Sequence, residues 1–163
     1  MGTSLMENDK LAIAQDLMNQ AQAKGKKMLL PVDLVIAQDM EHPETAGNVD
    51  IYAVPADKMA LDIGEKTREL YINELKTAHS IFWNGPMGVF EVPEFAKGTF
   101  EIAHAIAATD ANSVIGGGDS VAAVQKAGLW DQITHISTGG GASLEYLEGK
   151  TLPGIAVIQT KAE

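Results

Sequence analysis

Short apolar runs alternate with amphipathic stretches along the whole chain. Continuous apolar runs predict strands at residues 28–32, 80–84, 113–115, 135–138 and 155–158, and a short extra strand at 51–54. Apolar residues at helical spacing predict helices at 8–24, 65–78, 94–108 and 120–127, with a further short helix ending at 147. The polar stretch 38–50 is interpreted as a surface loop.

A repeating order of elements sets the expected fold class. Three times a predicted strand ends in a glycine-containing loop and a helix follows, with the loops at 84–88, 116–120 and 138–141. This alternation predicts an α/β domain with a mostly parallel sheet. The chain contains no internal repeat or linker-like segment, so one domain is expected over residues 1–163.

The glycine loops are candidate anion sites. The carboxyl ends of parallel strands meet at one edge of a sheet, where ligands bind in open α/β folds. A helix that begins there presents unpaired amide N–H groups and a partial positive charge. Two triple-glycine loops, at 116–118 and 139–141, therefore favour phosphate binding, and the alternative is a pair of tight strand–helix turns without a ligand.

Two familiar nucleotide motifs are absent from the sequence. No Walker loop is present, because no glycine is followed at the required spacing by Gly-Lys-Ser/Thr. The dinucleotide fingerprint G-x-G-x-x-G fails at its last position, which is Val121 after Gly116 and Leu144 after Gly139. Neither a P-loop kinase nor a typical dehydrogenase is supported.

Composition narrows the possible partners. The 163 residues carry a formal net charge of −10, which repels nucleic acid. A phosphate bound here would need backbone amides, a metal ion, or basic residues from elsewhere. No apolar run is long enough to span a membrane, and the absence of cysteine fits a cytoplasmic protein.

Two acidic residues have both a plain and a functional interpretation. Asp119 begins a predicted helix, where it would favour the helix dipole or coordinate a nucleotide-bound Mg²⁺. Glu91 follows a glycine loop, where it would be solvated or would accept hydrogen bonds from a ribose. The four histidines lack metal-ligand spacing and are interpreted as structural or solvent-facing.

Several ordered motifs together resemble the bacterial members of the phosphoglycerate kinase family. The segment WNGPMGVFE at 83–91 is similar to that family's nucleotide loop, and GGGDS at 116–120 and STGGGAS at 137–143 are similar to two later signatures. The segments LLPVD at 29–33 and LDIG at 61–64 also fit. The resemblance covers essentially the whole chain and implies a Rossmann-like three-layer domain.

The resemblance implies a reaction and a nucleotide site. The reaction is reversible phosphoryl transfer between 1,3-bisphosphoglycerate and MgADP, which gives 3-phosphoglycerate and MgATP. Leu61 and Val89 would line the adenine pocket, and Glu91 would hold the ribose hydroxyls. Asn84 and Pro86 would lie near the phosphates.

The same resemblance assigns the phosphate and metal contacts. Gly117 and Gly118 would offer backbone amides, Asp119 would coordinate Mg²⁺, and Ser120 would contact a phosphate. The transferring phosphoryl group would be stabilised by the amides of Gly139, Gly140 and Gly141. Phosphoryl transfer depends mainly on positioning and electrostatic stabilisation, so this set of groups is chemically apt.

The resemblance also implies that the chain is a fragment. The family's N-terminal domain, which binds the glycerate phosphate, and the first two strands of the nucleotide-binding domain are expected to be absent. The run 28–32 would then lack a neighbour and the strand at 81–84 would become an exposed edge, open to self-association. The isolated chain is therefore expected to be inactive, and the alternatives are a nucleotide-binding module without catalysis or an interaction fragment.

Overall fold

In a computed structural model that describes residues 2–159, the chain forms six helices and six strands joined by short loops and 3-10 turns. The helices are α1 (Leu11–Ala23), α2 (Glu65–Leu75), α3 (Lys97–Ala107), α4 (Gly118–Lys126), α5 (Gly140–Leu147) and α6 (Pro153–Gln159). The strands are β1 (Asp33–Ala37), β2 (Gly47–Asp50), β3 (Met59–Ile63), β4 (Ser80–Asn84), β5 (Asn112–Gly116) and β6 (His135–Ser137).

The second half of the chain forms a parallel sheet in the order β4-β5-β6. Ile81, Trp83 and Ile115 point to one face, where they pack against residues of α3 and α4. Phe82 and Val114 point to the opposite face, beside α5. The predicted α/β class, its parallel sheet and its three layers are confirmed.

The main core lies between this sheet and the helices α3 and α4. Ile102 and Ile106, one turn apart on α3, are buried against Ile115 and Val124. Each fully buried aliphatic side chain of this size contributes about 1.5–3 kcal/mol. Trp83 belongs to the same core at 5% exposure, and among residues 2–159 no hydrogen-bond partner reaches its Nε1.

The first half of the chain forms a separate antiparallel sheet in the order β2-β1-β3. The strand predicted at 28–32 is wrong, because β1 begins only at Asp33. Pro31 has no amide hydrogen for a ladder, and the amide of Val32 donates to Thr67 Oγ1 instead of to a strand. The residues expected to extend that strand, Val35 and Ile36, are its actual centre.

The polar stretch before residue 51 contains a strand that sequence patterning misses. Residues 47–50, predicted as loop, form β2, and the strand predicted at 51–54 is wrong. The chain turns after Asp50, whose Oδ1 accepts the amide hydrogen of Tyr52 and whose carbonyl accepts that of Ala53. Residues 59–63, where no strand is predicted, form β3.

The last predicted strand is also wrong. Residues 155–158 lie in α6, where the amides of Ile155 and Ala156 both donate to the carbonyl of Leu152. Pro153 is the first residue of α6, a position where its missing amide hydrogen costs nothing. A four-residue apolar run cannot be assigned to strand or helix by periodicity alone.

A buried polar pair joins the antiparallel sheet to α2. The Asp33 carboxylate accepts the amide hydrogens of Lys66 and Thr67, which lie in the first turn of α2, and the Thr67 hydroxyl at 2.6 Å. Burial alone would raise the pKa of Asp33, but the hydrogen bonds from Thr67, Asn48 and Lys66 lower that pKa to about 2. The carboxylate thus caps α2 from a distant strand.

The strand β4 lies at one edge of the parallel sheet, as expected for the segment 81–84. Its outer backbone groups have no neighbouring strand within the described part of the chain. No described helix is long and apolar enough to cross a bilayer.

Candidate functional site

The three glycine loops lie at one edge of the parallel sheet. Asn84, Gly116 and Ser137 are paired across the last ladder positions of β4, β5 and β6. The chain leaves each strand at that edge and enters a loop. The predicted convergence of the loops at 84–88, 116–120 and 138–141 therefore follows directly from the register.

The two triple-glycine loops are in close backbone contact. A Cβ added to Gly140 would lie 2.7 Å from the Cα and 2.8 Å from the amide nitrogen of Gly117. Gly117 itself has φ +91°, a conformation that favours glycine. The Asn84 side chain lies 3.1 Å from the same added Cβ, so the ends of all three strands meet at Gly117.

Two helices begin at this meeting point with their first amides free of intrahelical bonds. The first intrahelical acceptors are the carbonyl of Gly117, for Val121 of α4, and the carbonyl of Gly139, for Ser143 of α5. The amides between these positions have no acceptor within their own helices. Those amides belong to Gly118, Asp119 and Ser120 in α4 and to Gly140, Gly141 and Ala142 in α5. Adjacent helix N-termini of this kind attract anions.

Four amides of the loop that follows β4, residues 85–90, donate to other parts of the fold. Gly85 donates to Ser120 Oγ at 2.7 Å, and the amides of Met87 and Gly88 both donate to Thr99 Oγ1, at 3.0 and 3.3 Å. Val89 donates to the carbonyl of Leu61 at 2.9 Å. Loop 85–90 is therefore held in one shape, and these amides are not free to bind an anion.

Ser120 has a role that the sequence did not indicate. Its side chain is fully buried, and its hydroxyl oxygen accepts the Gly85 amide hydrogen. This bond joins the start of loop 85–90 to the first turn of α4. The predicted phosphate contact of Ser120 stays a prediction.

A buried carboxylate, that of Asp62, packs against loop 85–90 at Gly88. Asp62 is 3% exposed, and it accepts the amide hydrogens of Gly98 at 2.8 Å and Ile63 at 2.8 Å. A Cβ on Gly88 would lie 2.5 Å from Asp62 Oδ1, and a Cβ on Gly98 would collide with the same oxygen. Burial raises the pKa of Asp62 to about 6, although the hydrogen bonds from Gly98 and Ile63 and the charge of Arg68 act in the opposite direction.

The residues expected around adenine lie together. Leu61 is buried and belongs to a small apolar cluster in which Val89 also packs. The Val89 amide donates to the Leu61 carbonyl. Leu61, Val89 and Pro86 line one hollow of about 380 Å³ beside β3. This contact makes an adenine pocket geometrically reasonable, and the assignment stays a prediction.

The two acidic candidates are both exposed. Asp119 lies in the first turn of α4, directly after the contact between the two glycine loops. Glu91 follows the buried Phe90 at the end of loop 85–90. Lys126 of α4 donates to the carbonyl of Phe90 at 3.1 Å. The residue before Glu91 is therefore hydrogen-bonded to α4, the helix that contains Asp119.

A nucleotide-bound metal fits this donor set better than a metal held by the protein alone. Within residues 2–159 no group of three or more histidines, cysteines or carboxylates is placed to hold an ion. Mg²⁺ commonly takes one or two protein carboxylates together with phosphate oxygens and water. Asp119, exposed beside free helix amides, matches that single-carboxylate arrangement.

Three residues with structural roles at the site escaped sequence reasoning: Asp62, Thr99 and Lys126. Thr99 lies near the start of a helix, where a hydroxyl usually forms local hydrogen bonds. Here the hydroxyl accepts hydrogen bonds from Met87 and Gly88, which precede Thr99 by 12 and 11 positions. Lys126 bonds a carbonyl 36 residues away. No short-range pattern indicates such contacts, although Asp62 lies in the LDIG segment, which resembles a family motif.

Comparison with known proteins gives a consistent result. The family model described as phosphoglycerate kinase matches residues 1–150. Curated relatives named phosphoglycerate kinase include those of Desulforudis audaxviator, 52% identical over 158 residues, and Prosthecochloris aestuarii, 55% identical over 161 residues. Each match covers 97% of this chain, and 40% and 41% of the respective relative.

Solved structures agree with the sequence relatives. The phosphoglycerate kinase of Coxiella burnetii superposes with a TM-score of 0.94 at 40% identity, covering 100% of this chain and 42% of the other. That of Pyrococcus horikoshii OT3 gives a TM-score of 0.79 at 37% identity, covering 93% and 36%. The chain thus spans about 40% of the length of the curated relatives it matches.

Proposed function

The chain belongs to the phosphoglycerate kinase family, and from this premise we propose that it forms part of the nucleotide-binding domain of such an enzyme. The reaction served is reversible phosphoryl transfer between 1,3-bisphosphoglycerate and MgADP, giving 3-phosphoglycerate and MgATP. The observation that carries the proposal is the close contact of two helix N-termini at Gly117 and Gly140.

The phosphates of ADP or ATP are assigned to these helix N-termini. The free amides of Gly118, Gly140 and Gly141 supply hydrogen-bond donors where a chain of net charge −10 offers few cations. Asp119 is proposed to hold Mg²⁺, which neutralises phosphate charge when bound. Because the donors belong to a fixed backbone, they are already oriented before charge develops on the transferring group.

The nucleoside end of the ligand is assigned to loop 85–90 and its neighbours. Glu91 is proposed to accept hydrogen bonds from the ribose hydroxyls, and the hollow lined by Leu61 and Val89 is proposed to receive adenine. Pro86 lines the same hollow, and the Asn84 side chain lies beside the glycine loops at Gly117 and Gly140. Support comes from the course of loop 85–90, which begins after Asn84 beside the glycine loops and reaches the hollow at Val89.

Catalysis by the isolated chain is not part of the proposal. The family resemblance assigns glycerate phosphate to a domain outside this sequence, and the chain spans about 40% of its curated relatives. Phosphoryl transfer requires both substrates to be held in line. We expect no turnover by the pure chain with MgADP and bisphosphoglycerate, and measurable turnover would refute this expectation.

A cytoplasmic setting remains a prediction consistent with the absence of cysteine.

Calorimetric titration with MgADP tests the nucleotide proposal. Asp119→Ala should weaken MgADP binding at least tenfold, because it removes the proposed metal ligand. Asp131→Ala is the matched control, since Asp131 is an exposed carboxylate in a 3-10 turn away from the glycine loops. Absence of binding at millimolar MgADP, or equal effects of both substitutions, would remove the basis of the proposal.

An interaction fragment is the second candidate, and the exposed edge of β4 favours it. Strand edges pair readily with other chains when nothing covers them. If this property dominates, sedimentation should show association that rises with protein concentration and does not depend on MgADP. A monodisperse monomer with a cooperative melt would count against it.

A further inference from the structure

Both ends of loop 85–90 are attached to the same helix, α4. At the start of the loop, the Gly85 amide donates to Ser120 Oγ at 2.7 Å. At its end, Lys126 Nζ donates to the Phe90 carbonyl at 3.1 Å. Ser120 and Lys126 are six positions apart, which places the two attachments about 9 Å apart along the helix axis.

The second attachment involves more than one hydrogen bond. Lys126 Nζ lies 5.8 Å from the centre of the Phe90 ring and 5.7 Å from that of Phe100. An ammonium group at this distance is attracted to the face of an aromatic ring. Within residues 2–159 no carboxylate forms an ion pair with Lys126. Its charge is therefore directed to the Phe90 carbonyl and the two rings.

We propose that Lys126 is a positioning residue that sets the separation between the ribose side and the phosphate side of the nucleotide site. The inference rests on the proposed function. Lys126 bonds to Phe90, which directly precedes Glu91, and Lys126 belongs to α4, whose first turn contains Asp119. The affinity of a ligand that contacts both Glu91 and the amides of α4 depends on this separation. The affinity of a ligand that contacts only the amides does not.

The position of Lys126 makes the inference testable without disturbing the core. Its side chain is exposed near the C-terminal end of α4, and methionine keeps the length of its aliphatic part and a high helix propensity. Lys126→Met removes the charge and the donor, whereas Lys126→Arg keeps both. Lys24→Met, at the C-terminal end of α1, makes the same change of charge on another helix.

The decisive comparison is between MgADP and magnesium pyrophosphate, which lacks a ribose. Lys126→Met should raise the dissociation constant for MgADP roughly three- to tenfold, because a charged hydrogen bond at an exposed site has a modest effect. The dissociation constant for magnesium pyrophosphate should stay unchanged. Lys126→Arg and Lys24→Met should both bind MgADP like the unmodified chain.

Every other result contradicts the inference. Unchanged MgADP affinity in Lys126→Met would show that the attachment has no role in binding, and equal loss for both ligands would show general damage to the fold. If the unmodified chain binds magnesium pyrophosphate but not MgADP, the proposed nucleotide function fails first and the inference fails with it.

Amide hydrogen exchange in the ligand-free chain provides a second, independent measurement. Loss of the attachment should speed exchange at Val89 and Phe90, whose amides bond within and beside loop 85–90. Exchange in β5 should not change. Equal protection of loop 85–90 in the Lys126→Met variant and the unmodified chain would overturn the inference even if nucleotide binding had fallen.

Discussion

Gly140 lies so close to Gly117 that a single methyl group on it would stand 2.7 Å from the Gly117 Cα. The two nearest atoms belong to the Gly117 backbone, which cannot rotate away as a side chain can. The space between the two loops is free only because Gly140 lacks a Cβ, and Gly117 contributes a φ of +91°, which favours glycine. The proximity of the two helix N-termini, and with it the proposed phosphate site, depends on these two glycines.

Gly140→Ala should therefore force the two loops apart. We expect the free energy of unfolding to fall by about 1–3 kcal/mol, the usual cost of overpacking, and MgADP affinity to fall with it. Urea denaturation measures the first effect. Gly141→Ala is the matched control, because a Cβ on Gly141 meets no heavy atom within 4 Å. That variant should change stability by less than about 1 kcal/mol. Similar losses in both variants would contradict the role assigned to Gly140.

Thr99→Val should release the middle of loop 85–90. The Thr99 side chain is fully buried, and valine preserves its shape while leaving the amides of Met87 and Gly88 without their acceptor. An unsatisfied buried group costs about 1–3 kcal/mol, so stability should fall by that amount. Amide exchange at Met87 and Gly88 should become faster.

A matched control separates this local effect from the general loss of a buried hydroxyl. Thr67 is equally buried, but its hydroxyl accepts from Val32 and Asp33 and has no contact with loop 85–90. Thr67→Val should lower stability without changing exchange at Met87 or Gly88. Thr99→Ser should retain protection of both amides, and faster exchange in the serine variant would argue against the hydroxyl as their anchor.

Asp62 should make the chain more stable as the solution is acidified from neutrality. Its pKa in the fold is about 6, above its ordinary value of 3.8, so the fold favours the protonated form. The resulting stabilisation is fully present below pH 3.8 and is lost as pH rises through about 6. Across this window the difference in unfolding free energy between the unmodified chain and Asp62→Asn should shift by on the order of 2–3 kcal/mol. A difference independent of pH between 4 and 7 would refute this.

Asp33 should have the opposite dependence at lower pH. Its pKa in the fold is about 2, below its ordinary value of 3.8, because the charged form is hydrogen-bonded to the first turn of α2. Its stabilisation is present above pH 3.8 and is lost as pH falls through about 2. Asp33→Asn should be less stable at pH 7 by on the order of 2 kcal/mol, with a smaller difference near pH 2. A constant difference over this range in denaturant titrations would contradict the assignment.

Patterns of residue type predict the parallel half of the molecule well. The runs at 80–84, 113–115 and 135–138 are flanked by glycine loops and followed by amphipathic helices, so their type, order and direction all follow from local signals. The contact between Gly117 and Gly140 follows in turn, because parallel strands end at one edge. Local sequence signals therefore predict the main parts of the candidate site.

The antiparallel half was predicted poorly because its signals are not local. The run 28–32 looks like a strand, yet Thr67, more than thirty residues away, takes the amide hydrogen of Val32. Residues 47–50 have the polar sequence of a loop, but they form a strand because they pair with β1. Likewise, the hydroxyl of Thr99 and the ammonium of Lys126 act on loop 85–90 from elements whose placement only the tertiary structure defines.

The different environments of the two tryptophans give this chain two separable fluorescence signals. Trp83 is 5% exposed in the core, with no described hydrogen-bond partner for its indole nitrogen, whereas Trp130 is 46% exposed. Emission from Trp83 should be at shorter wavelength and resist aqueous quenchers, while that from Trp130 should be quenched readily. Since Trp83 directly precedes the Asn84 that reaches Gly117 and Gly140, its spectrum reports whether the strand beneath the glycine loops remains packed.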